Sequence, residues 1–460
     1  MSNNSSTKLS LLDSSMIIMG SMIGSGIFIV SADIARQVET PGMLLLAWIV
    51  TTIITVFGAL SYGELAAAMP KAGGQYVYLR EAYSPMFGFL YGWTVFSVIQ
   101  TGTIAAVGVA FAKYTGILFP IISDQNILLQ IGSFSVSTQQ LLGIVAIMLL
   151  TFYNFRDVKM GALLQNIFTF TKIFALLLMV ILGLYFGLTG MGSWANFSPA
   201  LPSVVTLATI GIFGSALTGS LFSADAWNNI TYTAGEVENP QRNIPLSLIM
   251  GTTSVLALYL LANITYLYIL PIEQIKTAEN DRVAALLMQT ILGNSGKTFM
   301  AVMIMISTFG CLNGIILAGS RVYYAMAKDG FFFPQAARLN ANHVPANSLL
   351  MQGAWASLLC LSGSYGQLLD YIMFAVMLFY ILTVGAVFIL RKKRPDMERP
   401  YKAWGYPLVP ALYIIMAVYV MLSIFIYKRD YAMYGLIIIL LGIPIYFLFK
   451  KYSRKPIEGA

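Results

Sequence analysis

Residues Ser14–Ile34 read SSMIIMGSMIGSGIFIVSADI, apolar enough to enter a membrane, yet the middle of the stretch carries Gly20, Gly24 and Gly26 with Ser21 and Ser25. Glycine inside a helix costs about 1 kcal/mol relative to alanine, and a backbone amide left unpaired in hydrocarbon is costlier still. A break here is tolerable only where it faces protein or a water-filled cavity. The same glycines also form a small-x-x-x-small pattern, Gly20 to Gly24, that lets two helices pack closely. On this span alone both readings stand.

Composition fixes the surroundings. Of 460 residues, 58% are hydrophobic and 10% charged, and the mean hydropathy is +0.76, values of an integral membrane protein. Apolar runs reach the ~20 residues a helix needs to cross about 30 Å of hydrocarbon. The alternating segments of a membrane barrel do not occur. Cys311 and Cys360 both lie in apolar runs, so no disulfide, metal site, redox motif or cofactor is expected. Residues 1–13 lead into a span too long for a signal core and without a small-residue cleavage pattern, so that span is expected to stay in the mature chain.

The expected fold is an all-α membrane protein of twelve spans, at 14–35, 43–69, 85–118, 138–155, 160–189, 205–234, 245–270, 297–326, 347–365, 368–391, 406–427 and 431–449. Eighteen of the 27 lysines and arginines fall on the side shared by the termini, including RKKRPDMERPYK (391–402) and KKYSRK (450–455). Six, among them Arg36, Lys276 and Arg282, fall on the other. Both termini, 1–13 and 450–460, are therefore expected in the cytoplasm. The formal charge of +8 is a consequence of this topology and gives no reason to invoke nucleic acid.

The sixth span decides between the two readings of the first. Its middle, FGSALTGSLFSADAWNNIT (213–231), places Gly214, Gly219 and Asp225 in a second small, polar interruption. Interrupted spans at corresponding positions of two halves point to a transporter site built from discontinuous helices. Residues 14–189 and 205–391 would then be five-helix repeats. Five being odd, the second copy runs inverted through the membrane, and 406–449 adds two further helices. The half-helix after Gly24 turns its first amides and positive dipole end toward the centre, which suits a carboxylate. The half-helices ending near Met22 and Phe222 present their last carbonyls, which suit an ammonium. An α-amino acid carries both groups on one carbon, and the glycines let its backbone come close.

Five stretches resemble the amino acid-polyamine-organocation transporters, and most closely their L-amino acid transporter branch. They are GSMIGSGIF (20–28), MPKAGGQYVYLREAYSPMFGFLYGW (69–93), GEVENPQRNIPLS (235–247), STFGCLNGIILAGSRVYYAMAKDG (307–330) and RPDMERPYKAWGYPLVP (394–410). The resemblance runs from the first span to the eleventh. It implies the five-plus-five inverted-repeat fold, and sodium-independent transport that is commonly obligatory exchange. It also implies roles by position. Ser25 and Gly26 would give amides to the substrate carboxylate, with Ser21 and Gly24 close by. Met22, Phe222 and Asp225, with Ser223 among them, would face the ammonium. Phe222 would close over the substrate from outside, and Cys311 would face its side chain. Two departures stand out. The loop between spans 3 and 4, FPIISDQNILLQIGSFSVST (119–138), lacks the cysteine that joins light chains to a glycoprotein partner, so no disulfide-linked heavy chain is expected. Ala224 in SADAW (223–227) replaces an aromatic found in many relatives.

Lys172 is the most informative charge, about 18 Å into the fifth span. By resemblance it takes the place of sodium in related sodium-coupled transporters. The alternatives are a structural lysine on carbonyls of the broken span, or a proton carrier. Asp225 either selects cationic substrates or caps helix ends. Glu64 and Arg321 read as structural ion pairs or gate latches, and His343 as a solvated loop residue. No paired carboxylates or nucleophile with its base occur for an intramembrane enzyme, and nothing resembles a channel's selectivity filter. The expectation is a sodium-independent exchanger of neutral, small to medium L-amino acids in the cell membrane. A proton symporter and a cationic amino acid or polyamine exchanger are the alternatives.

Overall fold

A computed structural model describes residues 8–452 other than 72, 133, 157, 343, 363 and 364; His343 lies outside the described residues. The chain opens with α1 (Leu11–Met22), started by a capping box in which Ser10 Oγ accepts from the Asp13 amide and Asp13 accepts from the Ser10 amide. At Ile23, φ −74° and ψ 86° take the backbone out of the helix. α2 (Gly26–Val38) resumes it, the two axes bent by 43°. α3 (Pro41–Ala68) returns across the molecule to a short α4 (Gln75–Ala82). α5 (Pro85–Thr94) and α6 (Gln100–Leu118) form one span interrupted by a π-helical turn at Val95–Ile99. An antiparallel hairpin, β1 (Ile127–Ile131) with β2 (Phe134–Ser137), leads into α7 (Thr138–Arg156) and α8 (Val158–Phe186).

α9 (Leu207–Ser223) stops at the second interruption, and Trp227–Glu236 continues as a 3-10 helix. The reason is local. Thr231 and Thr233 bond back to the carbonyls of Asn228 and Ile230, three residues earlier, which favours the tighter helix over the α form. α10 (Pro240–Ile269) follows, then a one-turn α11 (Ile272–Lys276). α12 (Val283–Lys328) is one element with left-handed backbone at Gly293, φ 65°. The last helices are α13 (Ala346–Leu359), α14 (Tyr365–Lys393), α15 (Leu408–Tyr427) and α16 (Arg429–Tyr452).

Among the described residues, ten helical segments are long and apolar enough to cross a bilayer, and the bent pair α1–α2 raises the number to as many as eleven. The twelve spans expected from sequence include 347–365, whose helix here is α13. With 14 residues it covers only about 21 Å. It is closed early by turns from Leu361 and Ser362 to the carbonyls of Leu358 and Leu359. The eighth span, expected from 297, begins at Val283, because residues 283–292 form a helical approach that Gly293 redirects.

The elements pack in pairs. α2 lies on α9, α1 on the 3-10 helix, α3 on α10, α6 on α12 and α7 on α13. Apolar side chains also cover the outer surface, as on α8 and α16, where Phe170, Ile181, Leu440 and Phe447 are exposed, as a bilayer-embedded surface requires. Polar contacts gather at the two ends. On the face that holds the N-terminus, Glu64 at the end of α3 meets Arg391 of α14, and Glu236 meets Arg321 of α12. Arg80 pairs with Asp329 and Glu81 with Arg394. Partial burial raises the Glu81 carboxyl, but hydrogen bonds from Arg394 and Arg80 outweigh it and hold the group below its ordinary value. Leu9 pairs as a parallel bridge with Val237, donating to the Glu236 carbonyl at 2.8 Å and accepting from the Glu238 amide at 2.9 Å. On the opposite face Asp281 holds Arg36 and Lys113, and Lys428 holds Asp370.

Candidate functional site

The two interruptions meet inside the bundle. Gly26, first residue of α2, sits so close to Ser223 that a Cβ there would lie 2.7 Å from the Ser223 Cβ and 2.9 Å from its Cα. Gly24 faces α12, where a Cβ would come within 2.9 Å of Cys311 Sγ. Glycine at these positions is a condition of the close approach. Gly26 and Ile27 open α2, and as first-turn residues their amides have no carbonyl within the helix.

Side chains from three other helices hold the ends around the break. Lys172 of α8, fully buried, donates from Nζ to the Gly20 carbonyl at 2.6 Å. Cys311 Sγ lies 3.3 Å from the Ser21 carbonyl, and Ser307 Oγ donates to that of Ile23 at 3.4 Å. Tyr259 of α10 donates to the Met22 carbonyl at 2.8 Å and also lies 3.2 Å from that of Ser223. Tyr266, two turns on, reaches the Ile27 carbonyl at 3.2 Å. The broken span is thus tied to α8, α10 and α12 through its own backbone.

At the second interruption the Asp225 amide bonds the Phe222 carbonyl at 3.1 Å, and the Asp225 carboxylate accepts from Tyr380 of α14 at 2.5 Å. Ala226 adopts φ 66°, a left-handed conformation rare outside glycine. On the N-terminal side of this turn lies a small cavity of about 20 Å³. Ile99 of the π-helical turn and Gln100 and Thr103 of α6 line it, as do Asn228, Asn229 and Tyr232 of the 3-10 helix and Ile315, Phe379 and Tyr380 from α12 and α14.

The two faces differ. Toward the opposite face a vestibule of about 880 Å³ opens above the breaks, lined by Val30, Asp33, Lys113, Thr218, Gly219 and Asp370 among others. Phe222 lies one helical turn beneath Gly219 and is buried. Toward the N-terminal face the path is packed. Tyr91 and Tyr232 share a hydrogen bond of 2.5 Å, and Asn228 bonds Gln75. Beyond them Glu64, its side chain 3% exposed, accepts from Arg391 and the Ala403 amide and forms an ion pair with Arg399.

The sequence-predicted residues divide among these features. Ser21 and Met22 end α1, Gly24 and Ser25 lie in the first break and Gly26 opens α2, while Phe222 and Ser223 end α9 and Asp225 lies in the second break. Cys311 and Lys172 face the first break from neighbouring helices. Glu64 and Arg321 both lie in ion pairs on the N-terminal face. Sequence reasoning did not single out Tyr259, Tyr380, Gln100 or Asn229. Tyrosines in a chain with 26 of them carry no signal of their own. The pair Asn228–Asn229, amides in a span, was the available one.

Comparison with known proteins gives the family of the chain. A family model described as amino acid permease matches residues 9–449. The chain is 29% identical over 454 residues to the serine/threonine exchanger SteT of Bacillus subtilis (strain 168), covering 98% of each chain. It is 28% identical to the human b(0,+)-type amino acid transporter 1, over 97% of this chain and 88% of that one. It is 29% identical to the human large neutral amino acids transporter small subunit 2, over 98% and 81%.

Proposed function

The chain belongs to the amino acid permease family, a multi-pass membrane transporter related to the L-amino acid transporter branch, and from that premise we propose that it exchanges neutral L-amino acids of small to medium side chain without sodium. The observation that carries the reading is Lys172, a buried ammonium fixed 2.6 Å from the Gly20 carbonyl beside the break. A cation built into the chain stands where a coupling ion would otherwise gather carbonyls at an unwound helix.

The amides at Ser25 and Gly26 receive the substrate carboxylate, and carbonyls at the ends of α1 and α9 receive its ammonium. Phe222, beneath the vestibule, closes over the bound molecule. Binding from the vestibule followed by opening of the N-terminal face is alternating access. The closed ion-pair belt on one face and the 880 Å³ vestibule on the other favour it. The twelve-span, inverted-repeat architecture draws support from the packing of α2 on α9, α3 on α10, α6 on α12 and α7 on α13, the counterpart contacts a two-fold axis in the membrane plane would generate. The excess of basic residues beside the termini supports their cytoplasmic placement in the cell membrane. Exchange draws support from the Bacillus subtilis relative, named as an exchanger. The protein needs no disulfide-linked heavy chain and no cofactor, and it catalyses no reaction.

The test is uptake of radiolabelled alanine, serine, leucine and arginine into proteoliposomes, with and without unlabelled amino acid inside. Uptake that needs internal substrate and ignores sodium and pH gradients supports the exchanger. Uptake into empty vesicles driven by an inward proton gradient makes it a symporter and Lys172 a proton carrier, and preference for arginine makes Asp225 the selecting charge.

A further inference from the structure

We propose that Asn229 is a specificity-determining residue whose side-chain amide binds the hydroxyl of the transported amino acid, so that the protein favours hydroxylated over isosteric aliphatic substrates. This rests on the reading of the chain as an exchanger of neutral amino acids. The polar side chains that wall the cavity beside Asp225 and Ala226 hold hydrogen-bond partners through their nitrogens and hydroxyls, with one nitrogen as the exception. Gln75 donates to the Phe379 carbonyl, Gln100 to that of Ile315 and Thr103 to that of Ile99. Asn228 donates to Gln75 and Tyr232, Tyr91 bonds Tyr232, and Tyr380 donates to Asp225. Asn229 is the exception: it is 2% exposed, lines the cavity, and its Nδ2 has no partner.

A buried amide without an acceptor carries a desolvation cost that a ligand oxygen would remove. The cavity's size says which oxygen. About 20 Å³ holds one group the size of a water molecule, enough for a hydroxyl and too little for a guanidinium or an indole. Its electrostatics agree. A hydroxyl accepts from Asn229 and gives its own proton to an acceptor such as Asp225, which lines the same cavity. A side-chain carboxylate would meet the Asp225 charge, and a methyl group would leave the Asn229 donor unmatched.

Threonine and valine have the same shape and differ in this one group, so they isolate the effect. In proteoliposomes carrying the wild-type chain, the apparent affinities for exchange of threonine and valine should differ by at least ~10-fold in favour of threonine, the factor set by one unmatched buried donor. In Asn229→Leu and Asn229→Ala the ratio should fall toward one. Equal wild-type affinities would mean that the cavity holds only a resident water and would overturn the assignment, whether or not either variant folds. A wild-type preference that survives in both variants would overturn the role of Asn229. Absence of exchange for every neutral amino acid would overturn the transport reading as well, which separates that failure from a loss of discrimination alone.

Discussion

The Tyr259 hydroxyl lies 2.8 Å from the Met22 carbonyl, and the same oxygen is 3.2 Å from the carbonyl of Ser223, so one side chain of α10 touches the ends of both broken helices. Tyr259→Phe keeps the ring, which packs edge-on against Trp48 at 5.6 Å, and removes the donor. Losing a buried hydrogen bond of this kind costs about 1–3 kcal/mol. We expect a lowered Tm and exchange reduced at least ~10-fold; unchanged exchange with a lowered Tm would make the contact structural only.

Lys172→Met replaces a buried cation by an apolar chain of similar length and leaves the Gly20 carbonyl without its donor. Exchange should be lost while the protein still runs as a folded species on size exclusion. Wild-type kinetics in this variant would remove the fixed-cation role.

Three glycine variants separate close approach from helix propensity. Gly26→Ala forces a methyl group into Ser223, and Gly24→Ala places one against Cys311 Sγ. Gly235→Ala meets nothing within 4 Å. We expect abolished exchange in the first, an intermediate defect in the second because a thiol shifts more easily than a backbone, and wild-type uptake in the third.

Glu64→Gln removes the charge that Arg391 and Arg399 share at the N-terminal face. Breaking a buried pair from one side costs about 3 kcal/mol. The variant should unfold at lower temperature, and cysteines introduced beneath the belt should label faster from that face. Unchanged labelling would show that the belt does not seal the path.

Glu81 gives a pH signature. Its carboxyl is depressed in the folded chain, so its contribution to stability is present above the ordinary carboxylate pKa and is lost as pH falls through the lower, folded value. Glu81→Gln should lower the Tm at pH 7, and the difference from wild type should close below about pH 4. A gap that stays constant with pH would assign the effect to packing.

Much of this arrangement could be anticipated from residues alone. The first interruption follows from Gly24 and Gly26, because in hydrocarbon such residues need a protein or water-filled neighbour, whereas Gly214 and Gly219, read as part of the second, lie inside α9 as packing positions against Ser423 and Val30, and that break comes only after Ser223. Lys172 stood out because a charge at that depth needs a partner. What resisted prediction was what depends on distant chain meeting in space. Tyr259 and Tyr380 act through single hydroxyls on helices whose composition is ordinary, and the 3-10 form of Trp227–Glu236 depends on where its threonines bond. The short α13 shows the opposite limit, since an apolar run does not say how far its helix persists.

The backbone bridge between Leu9 and Val237 joins the segment leading into α1 to the residue that closes the 3-10 helix. Were the two inner half-helices the gates of the proposed transport cycle, this bridge would fasten them at their hinges. Neither inner half-helix swings far alone without breaking the hydrogen bonds on both sides of Leu9, so a leak through one half-open gate is disfavoured.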